Sequence, residues 1–129
     1  MGQWKTSWNT GVKKFDDEHK RILEFIDEIE AEGMFGPNIG KIFDDVIKYA
    51  EYHFSEEEKT LKEYKYPRYK AQQKAHKELI KQLVDVRKFH KKNDRFNVEP
   101  KGFLLKWLIT HIQTEDKLYT GHLAKAGYK

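Results

Sequence analysis

The sequence predicts an all-α fold, an up-down-up-down antiparallel four-helix bundle preceded by an N-terminal arm. Three observations carry that prediction. Apolar residues recur at helical spacing in four separate stretches, and no strand-like alternation competes with them. Gly and Pro concentrate between those stretches, at Gly33 to Gly40, at Pro67 and at Asn93 to Gly102, where they break helices. The connections so marked are short, which forces successive helices to run antiparallel. A single domain is expected over residues 1–129, with 1–14 as the arm and 15–122 as the bundle. A chain of this length is enough for one continuous core.

Each element has its own signature. The arm carries Trp4 and Trp8, whose indoles are expected to lie across the bundle. The first helix shows Phe15, His19, Ile22, Phe25, Ile26 and Ile29 on one face, with Asp16 and Asp17 expected as its caps. The second runs from about Asn38 and presents Ile39, Phe43, Val46, Ala50, His53, Phe54, Glu57 and Leu61. The third is expected to open at Pro67, a good first-turn residue, and to present Tyr69, Gln72, His76, Leu79, Ile80, Leu83 and Val86. The fourth follows Pro100 with Phe103, Leu104, Trp107, Leu108, His111 and Ile112, and is expected to continue to Asp116.

Composition excludes several functions. The net charge is +4, but Lys, Glu and Asp are interleaved along every segment. That pattern reads as solvated helix faces and not as a phosphate-tracking stripe, so no nucleic-acid partner is expected. No apolar run approaches the roughly 20 residues needed to span a bilayer, so no membrane partner is expected either. The start, Met1-Gly2-Gln3-Trp4-Lys5, lacks the apolar stretch of a signal peptide. Cysteine is absent, which removes disulfides, thiolate metal sites and a thiol nucleophile. A cytoplasmic location is the expectation.

The informative feature is the polar residues on the apolar stripes. Every helix places a histidine where a leucine would be expected: His19, His53, His76 and His111. Glu57 lies one turn after His53, so both reach the same point. Asp116 lies about 140° from His111 by the 3.6-residue period, within a broad inward face. One inward histidine is more often a core residue bonded to a carbonyl or a water. Six buried polar groups together are different, because each costs several kcal/mol unless paired. A dinuclear metal site removes that cost for all of them at once, since two carboxylates and a bridging hydroxide nearly neutralise two divalent ions. Imidazole suits Fe, Cu, Ni and Zn, while bridging carboxylates favour pairs of Fe or Mn. No Glu-x-x-His occurs; the nearest match, Asp16 to His19, occurs once. The centre is therefore not the carboxylate-rich kind with two such motifs. A histidine-rich shell stabilises ferrous iron and leans toward binding oxygen reversibly. His90, near a helix end and expected to be exposed, and His122, near a fraying C-terminus, are assigned to neither metal.

At these residues the chain resembles the hemerythrin family, in its single-domain bacterial form, over nearly its whole length. Trp8, Gly11-Val12 and Asp17-Glu18-His19-Lys20 are similar to the family's opening. His53-Phe54-Ser55-Glu56-Glu57 resembles its His-Phe-x-x-Glu signature, and Tyr66-Pro67 the turn before its third helix. Trp107-Leu108-Ile109-Thr110-His111-Ile112 through Asp116 resembles its Trp-Leu-x-x-His-Ile-x-x-x-Asp block.

The resemblance implies two non-haem irons bridged by Glu57, Asp116 and an oxo or hydroxo group. It implies that His19 and His53 hold the iron with an open position, where dioxygen binds as hydroperoxide. The other iron would have three histidines, two from the third helix and His111. Ile22, Phe54, Trp107 and Leu108 match the family's pocket lining, and ordinary core packing describes them equally well.

One position departs. The third helix of the family reads His-x-x-x-His, and here Gln72 stands at the first place with His76 at the second. Gln72 would ligate weakly through its amide oxygen or hold a water that does. Alternatively Tyr69 would swing in as a phenolate, or the replacement, natural or engineered, would open the second iron.

The implied function is oxygen storage, delivery or scavenging, with dioxygen as partner and no substrate chemistry. The alternatives are an enzyme reducing peroxide or nitric oxide or oxidising a small donor, an oxygen-sensing module, and a bundle that has lost its iron. The sequence leaves the oligomeric state open, with a monomer as one expectation.

Overall fold

The computed structural model describes residues 4–127. Its helices are α1 (Lys13–Glu32), α2 (Ile39–Glu63), α3 (Tyr69–Asn93), α4 (Pro100–Thr114) and a short α5 (Thr120–Lys125). Two 3-10 turns accompany them, Thr6–Trp8 in the arm and Asp116–Tyr119 between α4 and α5. The described residues are all-helical, as predicted. Among them, no helix is long and apolar enough to cross a membrane.

The helix ends follow local chemistry. Gly33 closes α1 at φ 84°, a conformation that costs glycine nothing, and its N–H bonds to Ile29 O. Pro100 opens α4, and the Glu99 side chain accepts from the free N–H groups of Lys101 and Gly102 at 2.8 and 2.9 Å. Three boundaries differ from expectation. Asp16 and Asp17 are not caps, because α1 already starts at Lys13. Asp16 instead reaches back to the arm, accepting from Thr10 N (2.7 Å), Thr10 Oγ1 (2.8 Å) and Gly11 N (3.2 Å). Asp17 pairs at the surface with Lys13. Pro67 does not open α3; it lies in the turn before Tyr69. Finally, α4 stops at Thr114, so Asp116 is not on it but begins the following 3-10 turn.

α1 packs against α2 and α4, and α2 against α3. α3 and α4 pack less closely than these pairs, and between them lies a groove of about 580 Å³. Trp107 Nε1–H spans part of it, donating to Leu79 O at 3.2 Å.

The apolar core is in two pieces. The larger holds Ile22, Ile26, Phe43, Phe54, Leu83, Leu104, Leu108 and Ile112, among others, with Trp4 and Trp8 packed on it as the arm was expected to do. The smaller holds Val12, Phe15, Leu61, Tyr66, Tyr119 and Leu123. On α1, His19 falls between Phe15 of the small piece and Ile22 of the large one. On α2, Glu57 falls between Leu61 and Phe54. After α4, Asp116 falls between Ile112 and Tyr119. A polar layer thus cuts the core across its length. Such an interruption costs several kcal/mol unless its groups are paired.

Candidate metal centre

Every residue of that layer is withdrawn from solvent. His19, His53, Glu57 and Asp116 are fully buried, and Gln72, His76 and His111 nearly so. The Nε2 atoms of His19 and His53 approach to 2.8 Å, and His53 Nε2 lies 3.1 Å from Glu57 Oε1. His19 Nε2 lies 3.0 Å from Asp116 Oδ2. On the other side, His76 Nε2 is 3.3 Å from Glu57 Oε1 and His111 Nε2 is 2.9 Å from Asp116 Oδ1. The donor atoms fall into two overlapping groups, each within 4.8 Å. One is His19, His53, Glu57 and Asp116; the other is His76, His111, Glu57 and Asp116.

The 3-10 turn explains how Asp116 joins. The backbone leaves the α-helix at Glu115, and the tighter turn carries Asp116 inward beside both His19 and His111.

The residues fit a pair of metal ions. Glu57 Oε1, Asp116 Oδ2 and His111 Nε2 are buried and face only one another's ligand groups across the layer, with no well-formed hydrogen bond of their own. Orphaned lone pairs in a closed core are costly, and cations placed between them would satisfy all three. Electrostatics show the same tension. Burial drives the His53 imidazole down, yet the Glu57 charge and hydrogen bonds with Glu18 and Glu57 hold it up at about 10. Burial likewise opposes protonation of His111, and Asp116 raises it overall. Glu57 is penalised by burial but held well below the usual carboxylate range by His53 and His76. Protons here stand in for the cations that such a ligand set attracts.

Three supporting residues escaped the sequence reading. Glu18 Oε1 lies 2.7 Å from His53 Nδ1, and Glu58 Oε2 lies 2.8 Å from His76 Nδ1. A carboxylate on the outer nitrogen fixes the tautomer, leaving the Nε2 lone pair to face inward. The Tyr119 hydroxyl donates to Glu57 Oε2 at 2.8 Å. Burial and the Glu57 charge push that phenol well above its ordinary value, so it stays a donor. The available signal was adjacency: Glu18 and Glu58 sit next to His19 and Glu57, about 100° round the helix and toward the neighbouring helix.

The remaining expected residues are placed as follows. Gln72 lies in the layer, but its Nε2 faces Asp116 Oδ1 at 2.6 Å. Tyr69 is not there: its ring packs on the smaller cluster and its hydroxyl faces Gln73 at 3.5 Å. Ile22, Phe54, Trp107 and Leu108 are all buried in the larger cluster. Phe54 is stacked on His76 at 4.0 Å and also lies beside His53, tilted at 5.7 Å, and His111, edge-on at 5.4 Å. Trp4 lies over His19 at 6.4 Å. His90 is not exposed as expected but half-buried, stacked on Phe96 at 4.2 Å. His122 is held rather than frayed, its Nε2 2.6 Å from Tyr64 O. Neither reaches the centre's two donor groups.

Fold and site together define a helical bundle able to hold two adjacent metal ions under shared carboxylates. Comparison with known proteins narrows this. Residues 10–123 match the model of the hemerythrin HHE cation binding domain. A bacteriohemerythrin of Methylococcus capsulatus is 31% identical over 115 residues, covering 87% of this chain and 88% of that one. The myohemerythrin of Sipunculus nudus is 27% identical over 120 residues, covering 93% and 92%. A crystal structure of wild-type hemerythrin superposes with a TM-score of 0.84 at 30% identity, over 96% of this chain and 98% of that one. The chain belongs to the hemerythrin family, whose members hold a non-haem di-iron centre and bind dioxygen.

Proposed function

We propose that this chain binds dioxygen for storage, delivery or scavenging, and performs no covalent chemistry on another substrate. The observation that carries the reading is the pair of overlapping ligand groups sharing Glu57 and Asp116 in a buried layer between two apolar clusters. Glu57 and Asp116 would bridge two irons, His19 and His53 would hold one, and His76 and His111 the other.

Two irons held by these residues would supply the electrons that reversible dioxygen binding draws and returns. The protein's own groups decide whether that stays reversible. Glu18 and Glu58 orient the imidazoles of His53 and His76. Tyr119 donates to Glu57 and so steadies the shared carboxylate without lending it a proton. Ile22, Phe54, Trp107 and Leu108 keep water away from the layer, which slows irreversible oxidation. Among the described residues beside the ligands, Tyr119, Glu18 and Glu58 are each engaged with a ligand side chain.

The test is to load ferrous iron anaerobically, then alternate air and vacuum while recording the visible spectrum and the consumption of added reductant. A charge-transfer band that comes and goes without reductant use supports the reading. A band that forms once, or steady consumption of reductant, contradicts it.

A further inference from the structure

We propose that Gln72 is not a metal ligand but a fastener for Asp116, and that the His76–His111 half of the centre therefore takes a small exogenous anion as its missing donor. The inference rests on the di-iron reading above and adds a second ligand site to it. Gln72 occupies the layer one turn before His76, on the same face of α3, and is 2% exposed. Its amide nitrogen is 2.6 Å from Asp116 Oδ1 and 3.4 Å from His76 Nε2. Only the nitrogen end can face a carboxylate at that distance, since the reverse orientation would set two acceptors against each other. An amide N–H has no lone pair to give a metal. Gln72 thus presents its donor, and not a lone pair, to the shared carboxylate and to His76.

The donor count then falls evenly. Each half has two imidazoles and a share of the same two carboxylates. Neither half is filled by the protein, so the second half is as open as the first. Charge favours an anion there. Two buried carboxylates do not neutralise two ferric ions, and the ions are the largest charges in the layer. His111 Nε2, buried and 2.9 Å from Asp116 Oδ1, marks this half, while Asp116 Oδ2 turns to His19 in the other.

Access is also on this side. The groove of about 580 Å³ between α3 and α4, walled by Leu79, Phe103 and Trp107, reaches His111. A cleft of about 340 Å³ between α2 and α3 reaches His76.

Azide is the probe. The iron-loaded protein is oxidised to the ferric state, iron per chain is counted, and bound azide per chain is measured by calorimetric titration alongside the visible charge-transfer band. The parent should bind two azides, Gln72→His one, and Gln72→Leu two. Gln72→Leu neither donates nor ligates, so it separates the fastener from the ligand role. One azide in the parent and two in Gln72→Leu would mean that the amide oxygen ligates, and would overturn the inference. Two azides in Gln72→His would overturn it as well, by placing the second site elsewhere. If Gln72→His does not fold, the contrast between parent and Gln72→Leu decides alone. Two irons with a single azide in the parent sinks only this inference; fewer than two irons per chain sinks the di-iron reading beneath it.

Discussion

Glu18→Gln should weaken iron binding about tenfold, and Glu18→Ala more nearly a hundredfold. The Glu18 carboxylate sits 2.7 Å from His53 Nδ1, with side chains only 9% and 0% exposed, so little solvent screens the pair. Its role is to hold the His53 N–H on the outer nitrogen and leave the inner lone pair for a metal. Supporting carboxylates of this kind are worth roughly 10–100-fold in metal affinity, or about 1.4–2.7 kcal/mol. Glutamine keeps an acceptor oxygen near Nδ1 and loses only the charge, which places it at the lower end. Alanine leaves the buried N–H unpaired and places it at the upper end. The assay is competition for ferrous iron against a chromophoric chelator under argon. Asp45→Asn serves as control, because Asp45 meets Lys41 across 3.6 Å on the exposed side of α2, where an ion pair contributes little. Affinity in Glu18→Ala within a factor of two of the parent would refute the reasoning.

Tyr119→Phe removes a donor to Glu57 Oε2 from a fully buried ring, and should cost about 1–3 kcal/mol of stability in urea denaturation. An unchanged midpoint would show that the hydroxyl and carboxylate do not interact. The iron-free protein should lose stability as pH rises. His53 stands at 6.5 when unfolded and about 10 when folded, so its contribution is complete below pH 6.5 and disappears as pH climbs through 10. Thermal melts of chelated protein at pH 6, 8 and 10 check the sign, and a midpoint that rises with pH over this range contradicts it. Iron must displace that same proton, so affinity should increase with pH by about tenfold per unit for each proton released.

The fold was legible because each inward stripe is long and strictly periodic, and because Gly and Pro mark its ends. The boundaries were less so. Asp16 has the residue type of a cap, but the Thr10 and Gly11 amides compete for its oxygens, and only the folded arm shows which wins. The ligand residues stood out as polar interruptions of apolar faces. Asp116 stands out in either element, because a continued helix and a break into a 3-10 turn both point it inward. Glu18 and Glu58 stayed hidden because they alternate with solvated charges, and nothing in a linear pattern separates a carboxylate facing water from one facing the next helix. Gln72 was legible as a departure, but its partner was not. Asp116 lies 44 positions away, and the contact exists only once α3 and the turn after α4 meet.

The central claim is that one chain holds two irons joined by Glu57 and Asp116. Iron per chain after anaerobic reconstitution and desalting tests it most directly, measured in the parent and in Asp116→Ala. The account predicts two irons in the parent and a loss from both halves in the variant, since the carboxylate is shared. One iron or none in the parent, or an Asp116→Ala protein that keeps both at full affinity, would contradict it.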